Sequence, residues 1–200
     1  MTLPLVLDWD GTVTEKDTLH LVIEEFGDLK VFQAMEAEIG RRLTLREVIA
    51  CEMATISAPL EDVIGWLVET VRVRDGFAEL MAEHNPLIVS AGFHELITPI
   101  LDRESLTATV VANRLESGES GWRAVFPEAE LCAVCGESCK RASVAHLERF
   151  AYAGDGVSDR CVSLAAEIVF ARDGLARYLD DHSVPYRPFV DLHEVNNVLA

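Results

Sequence analysis

Two carboxylates stand two residues apart where an apolar run ends, at Asp8 and Asp10 in Leu5-Val6-Leu7-Asp8-Trp9-Asp10-Gly11-Thr12. Alternation along an extended chain would turn both to one side and Trp9 to the other. Carboxylates so close repel, and they persist with a cation held between them or a proton on one of them. Hard oxygen ligands suit Mg2+, which takes few protein carboxylates and leaves room for water and a phosphate. Taken alone, the stretch reads equally well as a strand end with a solvated acidic turn.

Later stretches extend the pattern. Leu87-Ile88-Val89 ends in Ser90-Ala91-Gly92, Lys140 stands at the start of a helical stretch, and Gly154-Asp155-Gly156 is followed one helical turn later by Asp159. Singly, Ser90 reads as a helix cap, Lys140 as a surface cation and Asp155-Gly156 as a turn. Together they put small polar and acidic residues after successive apolar runs, where ligands bind in open parallel sheets.

The elements that must carry these residues follow from periodicity. Leu3–Leu7, Leu87–Ser90, Leu106–Ala112, Phe150–Ala153 and Ile168–Ala171 read as strands, the first two and the last as continuous buried runs. Helices are expected around Leu19-Val22-Ile23-Phe26, around Val31-Met35-Ile39, after the capping-box pattern Thr44-Leu45-Arg46-Glu47, and from Pro59 through Val71. Cys139–Phe150 and Val157–Ala166 also read as helices. Asp173 is expected to cap another, and Asp191 with Glu194 a last short one. Strands alternating with helices imply a parallel sheet covered on both faces. The stretch over 15–74 has no convincing strand and reads as a helical insertion, so the expected division is a core of 1–14 and 75–200 around a helical unit of 15–74. Ser117–Gly136 reads as hairpin and loop.

Two hundred residues, half of them apolar, can bury a sizeable core. The formal net charge of −17 argues against nucleic acid and anionic membrane surfaces as partners. It also means that a phosphorylated ligand would be received by local cations against the overall field. No stretch approaches the roughly 20 apolar residues of a membrane span, and no signal-peptide pattern opens the chain, so a cytoplasmic location is expected. Oligomeric state is not legible. The five cysteines are an odd count for a disulfide framework. Cys132, Cys135 and Cys139, with His146 as a fourth ligand, offer a zinc reading. Three thiols packing an irregular hairpin is the favoured one.

The order D-x-D-G-T, V-S-x-G, K, G-D-G-x-x-D resembles the signature of the haloacid dehalogenase (HAD) superfamily, and the chain is similar to its phosphatase branch along nearly its whole length. The helical insertion resembles the cap of the phosphoserine-phosphatase-like subgroup. The resemblance implies an α/β fold, with a Rossmann-like parallel sheet core and a small helical-bundle cap of the C1 type. It implies Asp8 as nucleophile and Asp10 as general acid and base. Mg2+ would be held by the Asp8 carboxylate, the Asp10 main-chain carbonyl and Asp155, with Asp159 ordering a metal-bound water. Ser90 and Lys140 would bind phosphoryl oxygens, helped by N–H groups around Gly11, Thr12 and Ala91. Trp9 replaces the usual Phe between the aspartates, and its side chain should face away from the reacting atoms.

The substrate would then be a small phosphorylated metabolite. Phosphoryl transfer to an acceptor other than water, and a non-catalytic phosphate- or metal-binding protein, are the competing readings. Cys135-Gly136 with Cys139-Lys140, Val169–Asp173 and the Pro185–Phe189 tail resemble the phosphatases of methionine salvage. Phosphoserine phosphatases grip their substrate with a cap glutamate and a cap arginine. Here the first position falls on Asp17 and Val48–Met53 holds no arginine, so the amino acid's carboxylate would lose its bidentate partner. Cys51, Met53 and Ile56 are expected either to line an apolar leaving-group pocket or to pack the helices.

Overall fold

Strand β1 (Leu5–Leu7) lies at the middle of the sheet, and what flanks it fixes the position of everything chemical. The computed structural model describes residues 3–118, 121–128 and 130–200; the tip of the expected hairpin, at 119–120, lies outside them. After β1 come four helices, α1 (Thr18–Phe26), α2 (Leu29–Glu36), α3 (Leu45–Met53) and α4 (Leu60–Thr70), then α5 (Phe77–His84). Strand β2 (Leu87–Phe93), helix α6 (His94–Arg103) and the hairpin β3 (Thr109–Gly118) and β4 (Gly121–Val125) follow. The remainder is α7 (Lys140–Ser143), β5 (Ala151–Gly154), a 3-10 turn (Val157–Asp159), α8 (Arg160–Ser163), β6 (Ile168–Ala171), α9 (Asp173–Asp181), β7 (Arg187–Pro188) and α10 (Leu192–Leu199).

The sheet order is β4-β3-β2-β1-β5-β6-β7, parallel throughout except for the β3–β4 pair. Leu7 is in register with Ile88 of β2 and with Ala153 of β5. Asp8, Ser90 and Asp155 therefore emerge within two residues of the same level on three adjacent strands. The period-2 alternation of β1 divides the core, with Leu5 and Leu7 on one face and Val6 on the other against Val89, Tyr152 and Val162. Trp9 is fully buried, edge-on to Phe77 at 6.1 Å between ring centroids, and so faces away from the acidic side chains.

Several expectations need correction. Only Lys140–Ser143 of the stretch Cys139–Phe150 is helical. Beyond it Val144 is buried, but Ala145, His146, Glu148 and Arg149 are exposed and the chain continues in turns. The Val157–Ala166 helix is broken into a 3-10 turn and α8, because the Asp159 carboxylate accepts the N–H groups of Asp155 and Gly156. Strand β3 starts three residues late and runs on to Gly118, its second half pairing with β4. Helix α5 was not anticipated, although Phe77, Leu80 and Met81 have helical spacing. Asp173 does not cap α9. It is the helix's first residue, at φ 45°, and the carbonyl of Asp155 takes the N–H of Leu175 at 2.7 Å. At α10 half of the expected box forms. Asp191 caps Glu194, while the Glu194 carboxylate reaches back to Val190. The capping box of α3 is complete.

The helices α1–α4 leave the core after Thr14 and return at Val73, and the two residues face each other in a short antiparallel bridge. Arg74, buried, locks this crossing. Its guanidinium donates to the carbonyls of Thr12 (2.8 Å), Gly11 (2.8 Å), Thr14 (3.2 Å) and Val190 (3.1 Å). A turn's carbonyls buried without donors would each carry a desolvation penalty. Arg74→Met, which keeps the stem and removes the donors, is expected to lower unfolding stability by about 2–4 kcal/mol. Urea unfolding checks it, and a loss below about 0.5 kcal/mol would show that the turn holds itself.

Candidate active site

Asp8 and Asp10 face one cavity, as alternation along β1 suggests, but each carboxylate takes its own partners. The strand ends at Leu7, and the chain turns at once, so Asp8 and Asp10 point to different partners. Asp8, Asp155 and Asp159 bring carboxylate oxygens within 4.8 Å of one another. Asp10 instead accepts hydrogen bonds from the N–H of Thr18 at 3.0 Å and from its hydroxyl, at the first residue of α1. Its other oxygen lies 3.4 Å from the Ser90 hydroxyl. Ser90 is fixed by the N–H of Gly92 at 2.9 Å.

Lys140 reaches this cluster from the start of α7. Its ammonium pairs with Asp8 and, at 2.7 Å, with Asp159; the three residues are 6%, 4% and 0% exposed. Asp159 is the most heavily bonded residue of the site. One oxygen takes Lys140 and the Tyr152 hydroxyl (2.5 Å), and the other takes the N–H groups of Asp155 (2.9 Å) and Gly156 (2.8 Å). With both oxygens held by protein donors, it positions Lys140 and the Asp155 loop. Thr12 turns its hydroxyl to the carboxylates, 3.2 Å from Asp155 and 3.5 Å from Asp8. The N–H groups of Gly11 and Thr12, expected to meet phosphate, are taken within the turn by Thr14 Oγ1 (3.2 Å) and the Trp9 carbonyl (3.3 Å). Ala91 lines the open space beside Ser90. Gly11 is required here: at φ 75°, any Cβ would collide with the Asp155 carboxylate.

The electrostatics follow from burial and crowding. Burial, then Asp159, pushes Asp8 up to about 7 against the pull of Lys140. Burial, then Asp8 and Asp159, pushes Asp155 up to about 9. Asp10 is raised to about 7 by burial and then by Asp17. Burial opposes the charge of Lys140, but Asp159 and Asp8 outweigh it and raise its pKa. Burial opposes that of Asp159 too, yet Lys140 and the surrounding donors lower its pKa. One lysine thus faces a surplus of carboxylates that would rather be protonated than charged together. An all-oxygen donor set of this kind fits a divalent cation such as Mg2+.

Above the carboxylates, a cavity of about 270 Å³ opens between them and the helices α1–α3. Leu19, Phe32, Leu45 and Ile49 supply apolar wall, while Asp17, His20, Glu36 and Glu52 supply polar groups. Met53 and Ile56 are fully buried in the helix packing, so for these two packing holds and pocket lining does not, while the exposed Cys51 does neither. Glu52 was missed in the sequence. It is 3% exposed, its Oε1 has no partner, and burial followed by Glu36 and Asp17 raises its carboxyl to about 8. The available signal was a carboxylate in the helical row Val48, Ile49, Glu52, Met53, otherwise apolar. No lysine or arginine lines this cavity among the described residues. Arg46 borders a neighbouring cavity, where it donates to Ser138 at 2.9 Å and lies over the Phe126 ring.

Residues 5–163 match the family model described as haloacid dehalogenase-like hydrolase. Curated relatives include 2-hydroxy-3-keto-5-methylthiopentenyl-1-phosphate phosphatases. That of Microcystis aeruginosa is 31% identical over 96% of this chain and 95% of its own length. That of Geobacillus thermodenitrificans is 27% identical, over 96% and 93%. Among solved structures, a substrate-bound phosphoserine phosphatase complex aligns with TM-score 0.76 at 16% identity, over 100% of this chain and 99% of the other. A phospho-aspartyl intermediate analogue of phosphoserine phosphatase gives 0.73 at 18%, over the same shares. At such identities the likeness is one of fold.

The raised carboxyls set a pH dependence. A group whose folded pKa exceeds its unfolded value contributes stability that is full below the unfolded pKa and lost as pH rises through the folded one. For Asp8, Asp10, Glu52 and Asp155 that window runs from about 4 to about 9. Protein dialysed free of Mg2+ should therefore melt at lower temperature as pH rises from 5 to 9, and saturating Mg2+ should flatten the decline. Melting curves across this range check it; a melting temperature that climbs with pH in the dialysed protein would contradict it.

Proposed function

The chain belongs to the haloacid dehalogenase-like hydrolases and is a phosphatase, and from that premise we propose a Mg2+-dependent phosphomonoesterase that works through an aspartyl-phosphate on Asp8. The observation that carries the reading is the buried Asp8 carboxylate, held by Lys140 beside Asp155 at the carboxyl edge of the sheet, beneath the cavity of α1–α3. Asp8, Asp155 and the main-chain carbonyl of Asp10 would hold Mg2+. When bound, the ion supplies charge neutralisation for the transferring phosphoryl group.

The chain's own residues do the rest. Lys140 and Ser90 bind and orient the phosphoryl oxygens, and Lys140 holds Asp8 in its attacking position. An Asp8 oxygen forms a bond to phosphorus as the bond to the leaving oxygen breaks. Asp10, kept near neutrality in pKa by burial and oriented by Thr18, gives its proton to that leaving oxygen. Water then attacks the acyl phosphate, Asp10 takes its proton, and phosphate and free Asp8 result. The helices over 15–74 act as a cap that excludes water while transfer proceeds.

The favoured substrate is a small neutral leaving group of the methylthiopentenyl-phosphate kind. The apolar wall of the cavity suits a thioether-bearing chain. Its carboxylates and the lack of a lining cation disfavour the carboxylate of phosphoserine. Curated relatives bearing that phosphatase's name support the same choice.

Asp8→Asn, which cannot form the acyl phosphate, is expected to lose turnover by about three or more orders of magnitude while remaining folded. Mg2+ removal should abolish hydrolysis and readdition restore it. Retention of more than a few per cent of turnover in the variant sinks the nucleophile assignment. For the leaving group, kcat/KM with the methylthiopentenyl phosphate should exceed that with phosphoserine by at least about tenfold, about 1.4 kcal/mol in transition-state binding. Equal efficiencies would overturn the substrate reading and leave the aspartate chemistry in place.

A further inference from the structure

Four of the five cysteines come together, though the sequence places only three of them near one another. Cys132, Cys135 and Cys139 lie on the loop that leads into α7, and Cys161 lies on α8, 22 residues further along. Their sulfurs are all within 4.8 Å of one another, and Cys132 Sγ and Cys161 Sγ are 3.8 Å apart. A tetrahedral tetrathiolate with Zn–S bonds of about 2.3 Å has edges of about 3.8 Å. A disulfide needs about 2.05 Å, and all five thiols are free. His146, expected as a fourth ligand, is exposed and outside this group.

The loop is wound around this point. The N–H of Val134 donates to Cys132 Sγ at 3.5 Å, the kind of backbone donor that orients a thiolate ligand. The Cys132 main chain closes the turn in both directions, accepting from Gly136 N and donating to the Glu137 carbonyl, each at 2.8 Å. Gly136, at φ 73°, lets the chain reverse directly after Cys135. Yet the loop has almost no core of its own. Among its described residues from 130 to 139 only Cys132 is buried, and Leu131 and Val134 are 70% and 62% exposed. The reading of three thiols packing a hairpin therefore fails, since Cys135 is exposed and Cys139 only half-buried. Something other than apolar burial must hold this segment to α8.

We propose that Cys132, Cys135, Cys139 and Cys161 bind one zinc ion, which pins the loop carrying Lys140 to the helix that follows Asp159. Soft thiolates at this spacing select a single thiophilic ion over Mg2+, so the site is separate from the carboxylate cluster. Cys139 directly precedes Lys140, and Cys161 stands two residues after Asp159. The ion thus fixes from behind the 2.7 Å pair between Lys140 and Asp159 on which the position of Lys140 rests. The metal site itself stands without the phosphatase reading; only its effect on turnover rests on it.

The test uses the full chain purified under reducing conditions. Elemental analysis should give about one zinc per chain, released by a mercurial thiol reagent, and Cys135→Ser and Cys161→Ser should each lose it. Cys51→Ser, outside the cluster, should keep it. Metal-stripped wild type titrated with Co2+ should show tetrathiolate absorption saturating at one equivalent, a readout independent of how well the variants fold. Cys161→Ser should also lower kcat/KM about tenfold or more. Wild type that carries no zinc and gives no tetrathiolate spectrum with Co2+ overturns the proposal, as does undiminished zinc in Cys161→Ser. Absence of phosphatase activity would leave the metal count unchanged, so the two readings fail separately.

Discussion

The Lys140 ammonium, nearly sealed from water between Asp8 and Asp159, is the interaction on which the rest of the structure depends. A buried ion costs several kcal/mol unless partners compensate it, and here each partner is itself secured. Asp159 spends its remaining capacity on the Tyr152 hydroxyl and on the N–H groups of Asp155 and Gly156. Asp8 is tied to β5 by its own N–H, which donates to the Ala153 carbonyl at 2.9 Å. One continuous polar chain thus runs from the Asp155 loop through Asp159 and Lys140 to Asp8. It joins Asp8 to two segments that lie more than a hundred residues further along the chain. Because such a network is satisfied only as a whole, it demands one geometry of the strand ends rather than tolerating several.

The inserted helices touch this geometry at both of their ends. On the way out, Thr18 at the head of α1 holds the Asp10 carboxylate; on the way back, Arg74 takes the carbonyls of Gly11, Thr12 and Thr14. The turn that carries both aspartates is therefore gripped from either side of the insertion. On the proposed function, the general acid is oriented by the first residue of the cap. Any rearrangement of the helices is then felt at Asp10 before it is felt at Asp8, whose partners all belong to the core.

A net charge of −17 and a phosphate-handling site are reconciled by this division of labour. Positive charge is concentrated on one buried lysine and on the cation that the carboxylates suit, where low dielectric makes each count for more. The cavity above is lined by the carboxyl groups of Asp17, Glu36 and Glu52 and by no lysine or arginine among the described residues. On the proposed function, that arrangement selects against a further anionic group as well as for an apolar one. A second anionic group on the substrate would meet carboxylates without a compensating cation.

Local rules made much of this legible. The buried runs of β1, β2 and β6, the capping box of α3 and the helical insertion follow from periodicity and from single side-chain-to-backbone bonds, which act over a few residues. The motif residues Asp8, Ser90, Lys140, Asp155 and Asp159 could be named because their types and order are visible along the chain. What each side chain faces was not, because it depends on groups distant in sequence. Alternation put Asp8 and Asp10 at one cavity, but it did not show that Thr18 would bind Asp10 while Lys140 bound Asp8. Thr12 had no visible reason to face carboxylates until β5 brought Asp155 next to it. Arg74 looked like any arginine until the turn's carbonyls surrounded it, and Glu52 like a surface acid until α3 docked. Cys161 joined the other three thiols only when α8 packed beside α7. Sequence determined which groups were available, since composition and short-range spacing are written in one dimension. Tertiary structure alone decided which of them share a cation, a proton or an ion, since those energies depend on distances of a few ångströms between atoms far apart in the chain.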